Sequence, residues 1–172
     1  MCIRDRATLE HRDGPVGLIL TRQAVPTFDR EEYAGAENLS RGAYVMKDAS
    51  DGEPQVILLA TGSEVQIAAE AQKQLEADGV PTRLVSVPSF EWFDAQDESY
   101  RESVLPTAVR ARVSVEAGIA MPWFRYLGDA GRAVSVETYG ASASHTVMFE
   151  KYGMTTQAVV AAARESLAAA QS

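Results

Sequence analysis

The sequence has one cysteine, Cys2, so it offers neither an intrachain disulfide nor a thiolate metal cluster. It has two histidines, His11 and His145, which share no spacing motif and so predict no histidine-built metal site. No apolar run approaches the roughly 18 residues of a membrane-spanning helix. Positive charge is in deficit, with 16 Lys and Arg against 24 Asp and Glu, a net charge of -8. That balance argues against nucleic acid or an anionic membrane as partner of the whole chain, because phosphate affinity comes from Lys and Arg. Neither G-x-G-x-x-G nor G-x-x-x-x-G-K-[ST] occurs, so no phosphate-cradling loop is signalled. No secretory h-region is visible in the first residues, and the expected location is cytoplasmic.

What remains is a chain of 172 residues, 46% hydrophobic and 23% charged, a composition ordinary for a soluble globular protein. At this size about 70% of the unfolded surface is buried on folding, so no staple is needed. The first six residues, MCIRDR, read as a non-native leader of the kind left by a translated library adapter.

The clearest signal is Gln55–Ala77. Val56-Ile57-Leu58-Leu59-Ala60 is apolar without alternation, which suits a strand covered on both faces. Thr61-Gly62-Ser63 breaks the run, and Ser63 with Gln66 three residues on has the form of a capping box. Val65, Ala68, Ala69, Gln72 and Leu75 then recur at helical spacing, and Gly79 stands where a left-handed residue ends a helix. Val80–Val87 returns as a strand, which makes a βαβ unit with an expected right-handed crossover.

Before this unit, Val16–Leu20 reads as a second strand buried on both faces. It either pairs with later strands or is the last strand of a domain that lies upstream. Residues 24–41 lack a clear period and read as a linker, with a helical turn near Ala36–Leu39. Gly42–Asp48 reads as a short strand. After the unit come an aromatic loop over Pro88–Phe93 and a helix over Asp97–Val104 stopped by Leu105-Pro106. A strand over Ala111–Glu116, a helical stretch at Trp123–Leu127 and a strand over Ala133–Val136 follow. Ser142–Tyr152 reads as a helix capped by Ser142, and a last helix starts after Met154 with Thr155 as its cap. About five strands with interleaved helices from Gly42 onward predict an open α/β/α three-layer sandwich.

Four places are candidates for chemistry. Arg22 follows a predicted buried strand, where ligands bind in open α/β sheets, and a guanidinium there suits a phosphate; a salt bridge closing the strand end is the structural alternative. Thr61-Gly62-Ser63 feeds a helix N-terminus, a possible anion site, though a cap fits the pattern better. Glu116 ends a strand and would serve as a general base if buried, or as a structural or interface group. Trp92, Phe93, Trp123 and Phe124 fit core or interface anchors rather than a cofactor box. The residues by themselves supply no self-contained catalytic set.

Ordered motifs go further. GPVGLILTRQAVP at Gly14–Pro26, RGAYVMKDA at Arg41–Ala49, VILLATGSEVQIA at Val56–Ala68 and DESYRESVLP at Asp97–Pro106 resemble transketolases. ARVSVEAG at Ala111–Gly118, YGASA at Tyr139–Ala143 and FEKYGMTTQAVV at Phe149–Val160 continue the resemblance in the same order. It implies residues 7–23 as the end of a pyrimidine-binding domain, 24–41 as a linker and 42–172 as a C-terminal domain. The implied fold is a five-stranded, mostly parallel sheet with one antiparallel strand between helices. The implied parent enzyme transfers a two-carbon ketol unit between sugar phosphates, using thiamine diphosphate and magnesium, as a homodimer. Cofactor ligands, metal ligands and catalytic histidines of such an enzyme would lie upstream of this chain. The resemblance assigns one functional residue here, Arg22, as a substrate-phosphate contact, and gives His145 no role. Two other readings stay open: a free-standing anion- or nucleotide-binding module at Gly62-Ser63, and a subunit of a split transketolase.

Overall fold

The computed structural model describes residues 3–172, so Cys2 lies outside the described residues. The central strand is β2, Val56–Ala60, and every one of its five residues is buried. Sealing four branched aliphatic side chains on both faces contributes about 1.5–3 kcal/mol each, so the neighbouring strands and both helical layers assemble around this segment. The other strands are β1 (Tyr44–Lys47), β3 (Thr82–Ser86), β4 (Arg112–Val115) and β5 (Arg132–Val134), in the order β1-β3-β2-β4-β5. β2 pairs in parallel with both β3 and β4, and β4 in parallel with β5. Only β1 is antiparallel, against β3, with a register shift between Val45 and Lys47. The expected α/β/α sandwich, mostly parallel with one antiparallel strand, is the observed fold.

Helix α1 (Ile3–Glu10) spans most of the stretch read as a leader and buries no residue. Helix α2 (Val65–Ala77) carries the βαβ crossover, and its predicted stripe of Val65, Ala68, Ala69, Gln72 and Leu75 is wholly buried. It ends as expected at Gly79, whose φ of 77° frees the Gly79 amide to bond Glu76 and the Val80 amide to bond Leu75. Gln72 is the polar member of the stripe, and its amide donates to the carbonyls of Lys47 and Thr82, tying α2 to β1 and β3. Helix α7 (Thr156–Ala170) packs on the same face; Thr155 caps it by accepting from the Ala158 amide at 3.2 Å. Met154 and Val159, placed to staple its first turn, lie in the same buried cluster. Ser166 of α7 accepts from the Arg112 amide and donates to the Ala130 carbonyl, fixing the helix over β4 and β5.

The opposite face holds Ile57, Leu59, Val85, Phe93, Trp123, Tyr126 and Leu127. Here the sequence reading needs a correction. Pro88–Phe93 is not a plain loop: Phe90–Asp94 is helix α3, with Ser89 accepting from the Trp92 amide. The aromatic residues conceal it, because Phe90, Trp92 and Phe93 obscure a helical period in so short a run. Helix α4 (Glu98–Val104) starts from its Asp97 cap, and α5 (Phe124–Leu127) follows a 3-10 turn at Met121–Trp123. Helix α6 is His145–Lys151, later than predicted. Ser142 is not its cap; Ser144 precedes it and makes no side-chain capping bond, its hydroxyl instead meeting Thr146.

Two further expectations change. Val16–Leu20 forms no strand: it pairs with no other strand among the described residues, and Ile19 is 96% exposed. Its apolar pattern describes a segment that needs cover on two sides, and among the described residues nothing covers it. The linker is also less loose than its composition implies. Tyr33 is buried in the core, the Ala34 amide bonds the Met46 carbonyl at 2.8 Å, and Glu32 pairs with Lys47. The helical turn expected near Ala36–Leu39 is a 3-10 turn over Ala36–Arg41.

Ion pairing inside the sheet is concentrated at Arg83. Its guanidinium makes two parallel bonds to Asp48, at 2.8 and 2.9 Å, and donates to the carbonyls of Ser103 and Val104. It therefore ties β3, the turn after β1 and the end of α4 into one unit. Replacing it by a shape-matched apolar side chain leaves Asp48 and two carbonyls without their donor. Arg83→Met is expected to cost about 2–4 kcal/mol, read as a lowered urea midpoint at unchanged m-value.

Candidate functional site

β2 leads through α2 to β3 on one side, while β4 lies on its other side. The carboxyl ends of β2 and β4 therefore flank the point where strand order reverses, the place at which open α/β sheets bind ligands. Thr61–Glu64 and Glu116–Gly118 form the rim. Gly62 has φ 55° and begins a 3-10 turn, Gly62–Glu64, that runs directly into α2. Ser63 does not cap the helix as predicted. Its hydroxyl donates to Glu64 Oε1 at 3.0 Å, and no side-chain capping bond is made at Thr61 or Glu64. The intervening 3-10 turn moves the helix start beyond the reach of the capping box.

Glu64 is the residue that sequence reasoning missed. It is buried, and removal from water pushes its carboxyl above the usual value of 4.5, with a smaller contribution from the nearby Glu116 charge. Glu116 sits where predicted, at the end of β4, half-buried. Its Oε2 accepts from the Trp123 indole nitrogen at 2.6 Å, and its backbone amide bonds the Val134 carbonyl. This is the structural alternative rather than a free general base. Glu137, beyond β5, accepts from the Ala120 amide at 2.8 Å and the Ser135 hydroxyl at 2.7 Å; the Ser135 bond foremost holds its carboxyl below the usual range. A cue for Glu64 existed: an acid directly after a strand-ending Gly-Ser, matched by a second acid at the end of the neighbouring parallel strand.

Three carboxylates at this edge are the wrong chemistry for a diphosphate or nucleotide, so the Gly62-Ser63 helix start does not fit an anion. Nor do these residues fit thiamine diphosphate with magnesium. Among the described residues no three His, Cys, Asp or Glu side chains converge to hold a metal ion. No helix among them is long and apolar enough to cross a membrane.

The remaining candidates are dispersed. Arg22 is exposed two residues after Leu20 and, among the described residues, makes no hydrogen bond or ion pair. The chain after it does approach the switch-point edge: Val25, Pro26 and Phe28 line a cleft with Gly62, Ser63 and Gln66. His11 packs its ring against Trp92, with centroids 5.6 Å apart. His145 is exposed at the start of α6 and meets Phe149 edge-on. Phe93 and Trp123 are core residues as expected, whereas Phe124 is exposed.

A family model described as a transketolase-like C-terminal domain matches residues 42–155. The chain belongs to the transketolase family. It is 51% identical over 168 residues to the transketolase of Mycobacterium bovis, a match covering 94% of this chain and 24% of that protein. The chain thus spans about a quarter of the length of that curated relative. Among solved structures, a transketolase from Pichia stipitis in complex with sedoheptulose-7-phosphate is 32% identical with a TM-score of 0.71, over 80% of this chain and 19% of that one. A split-gene transketolase, solved as an inactive beta4 tetramer, is 26% identical with a TM-score of 0.60, over 86% of this chain and 48% of that one.

The buried Glu64 carboxyl makes a signed prediction. The folded state binds its proton more tightly than the unfolded chain, so the stability it confers is full below the unfolded value of 4.5 and is lost as pH rises through the folded value. Glu64→Gln keeps an acceptor for the Ser63 hydroxyl and removes the titration. The variant is expected to lose less stability than the parent when urea unfolding is compared at acidic and neutral pH, and to be the more stable of the two at neutral pH.

Proposed function

We propose that this chain is the C-terminal part of a transketolase, an enzyme that transfers a two-carbon ketol unit between sugar phosphates in the pentose phosphate pathway. The observation that carries the reading is the unbroken resemblance: half of all residues identical across 94% of the chain, on a fold shared with solved transketolases. In this reading residues 7–23 end a pyrimidine-binding domain, 24–41 are the linker and 42–172 are the C-terminal domain. The exposed apolar run Val16–Leu20 is then a strand awaiting the sheet of that upstream domain. Thiamine diphosphate and magnesium are held by upstream residues, and the intact enzyme works in the cytoplasm as a homodimer. The sedoheptulose-7-phosphate complex of the Pichia enzyme supports a phosphorylated sugar as substrate.

Arg22 is the one residue in this chain that we assign to substrate. Placed by the completed sheet, its guanidinium would make charge-assisted bonds to the substrate phosphate. The split-gene transketolase gives weak support to a second arrangement, in which the upstream part is a separate polypeptide. Association of copies of this chain, in either arrangement, belongs to the same reading.

The isolated chain is expected to show no ketol transfer with thiamine diphosphate and magnesium supplied; turnover without a partner, in a coupled assay, would sink this reading. In the full-length enzyme, Arg22→Ala is expected to raise KM for phosphorylated sugars by about tenfold or more, the loss of one charge-assisted contact, and to leave unphosphorylated substrates nearly unchanged. Equal effects on both classes would rule out the phosphate contact.

A further inference from the structure

Residues 28–34 dock on the α/β/α domain as an ordered strap, and Tyr33 is its anchor. Tyr33 is 4% exposed and lies in the buried cluster with Tyr44, Met46 and the stripe of α2. A buried tyrosine ring removes about 150–250 Å² from water. Among the described residues its hydroxyl has no hydrogen-bond partner, so the ring and not the hydroxyl makes the anchor. Phe28 packs on that ring with centroids 4.8 Å apart, and the Lys47 ammonium lies 5.0 Å from its centre. The strap is also closed locally. The Tyr33 amide bonds the Asp29 carbonyl at 2.9 Å, the Glu31 amide bonds the Asp29 side chain at 3.0 Å, and Arg30 donates to the Ala34 carbonyl at 3.0 Å. Upstream of Phe28, Val25 and Pro26 face Gly62 and Ser63 across a cleft, so the chain follows the domain surface to within a few residues of Arg22.

We infer that Tyr33 is a positioning residue for the substrate-phosphate contact assigned to Arg22, because its strap restrains the arginine's segment from the downstream side. The inference rests on the proposed function, in which the pairing of Val16–Leu20 restrains Arg22 from the upstream side. From Pro26 back to Arg22 the chain spans at most about 14 Å, so the docked course keeps the Arg22 backbone near the carboxyl edge of the sheet. Without the Tyr33 ring, the next buried residues downstream are Gly42–Tyr44. The tether from Arg22 to its nearest buried anchor then roughly doubles, which lowers the local concentration of a flexible tether's end by about threefold.

The test is steady-state kinetics of the full-length enzyme on phosphorylated and unphosphorylated sugars. Tyr33→Ala is expected to raise KM for phosphorylated sugars by about threefold, with kcat and the unphosphorylated substrates nearly unchanged. Tyr33→Phe keeps the ring and is expected to match the parent. Leu127→Ala opens a cavity in the opposite face of the domain and is expected to produce no difference between the two classes, which separates anchoring from a general loss of stability. Phe28 is only half-buried, so Phe28→Ala loosens the strap with the core intact and replaces Tyr33→Ala if that variant does not fold. Equal effects on both classes overturn the inference, as does no effect on either. So does a Tyr33→Phe variant as impaired as Tyr33→Ala, or a class difference in Leu127→Ala. Hydrogen exchange of the 172-residue chain reads the anchor directly: in Tyr33→Ala the residue 33 and 34 amides are expected to lose protection while Val56–Ala60 keep theirs, and unchanged protection overturns the anchor. Arg22→Ala tests the reading beneath: without a class difference there, the phosphate assignment itself fails. With one there and none in Tyr33→Ala, only the positioning role fails.

Discussion

Burial of β2 on both faces is the constraint on which the rest of the domain depends. A strand of five apolar residues has no solvent side, so it needs paired strands at both edges and a helical layer above and below. α2 and α7 form one layer; α3, α4 and α5 with the Met121–Trp123 turn form the other. Placing β3 and β4 on opposite sides of β2 also creates the point where strand order reverses. The same burial that holds the sheet together thus positions the Glu64 and Glu116 edge.

At that edge the chemistry departs from what the topology invites. In open α/β sheets this crevice commonly receives an anionic ligand on a helix N-terminus. Here the first residues of the helical segment supply a buried carboxyl, Glu64, whose hydrogen-bond donor is its neighbour Ser63. Glu116 is committed to the Trp123 indole and Glu137 to two donors of adjacent loops. The carboxylates act as internal fasteners of the loops that follow β2, β4 and β5. The edge at which open α/β sheets commonly bind ligands is thus used here to fasten loops.

The sequence made the frame legible wherever one local rule agreed with tertiary packing. Val56–Ala60, the stripe on α2, the Gly79 stop, the Asp97 start of α4 and the Thr155 cap were all readable because pattern, cap and burial point the same way. Failures came where a local signal had a competitor. Ser63 has the spacing of a capping box, but the hydroxyl is taken by Glu64 and the 3-10 turn delays the helix. Ser142 precedes a helical pattern, yet α6 begins three residues later, at His145. Phe90–Asp94 is helical because Ser89 caps it and Phe93 anchors it, information that an aromatic cluster without a period does not carry.

Arg22 and Val16–Leu20 show a different limit. The pattern GLIL describes a strand sealed on both faces, and that description concerns the surroundings as much as the segment. In the described residues the segment has no ladder, and Ile19 faces solvent. Apolar side chains left in water cost free energy that burial would recover, and the solvated backbone groups beside them are open to pairing with a sheet edge. In the proposed function the position of Arg22 would follow from that pairing: a guanidinium at the end of a paired strand occupies a single place. The ability of this arginine to contact a phosphate is therefore not a property of its own side chain. In the proposed function it depends on backbone hydrogen bonds formed by Val16–Leu20, so the proposed role of Arg22 and the pairing of that segment stand or fall together.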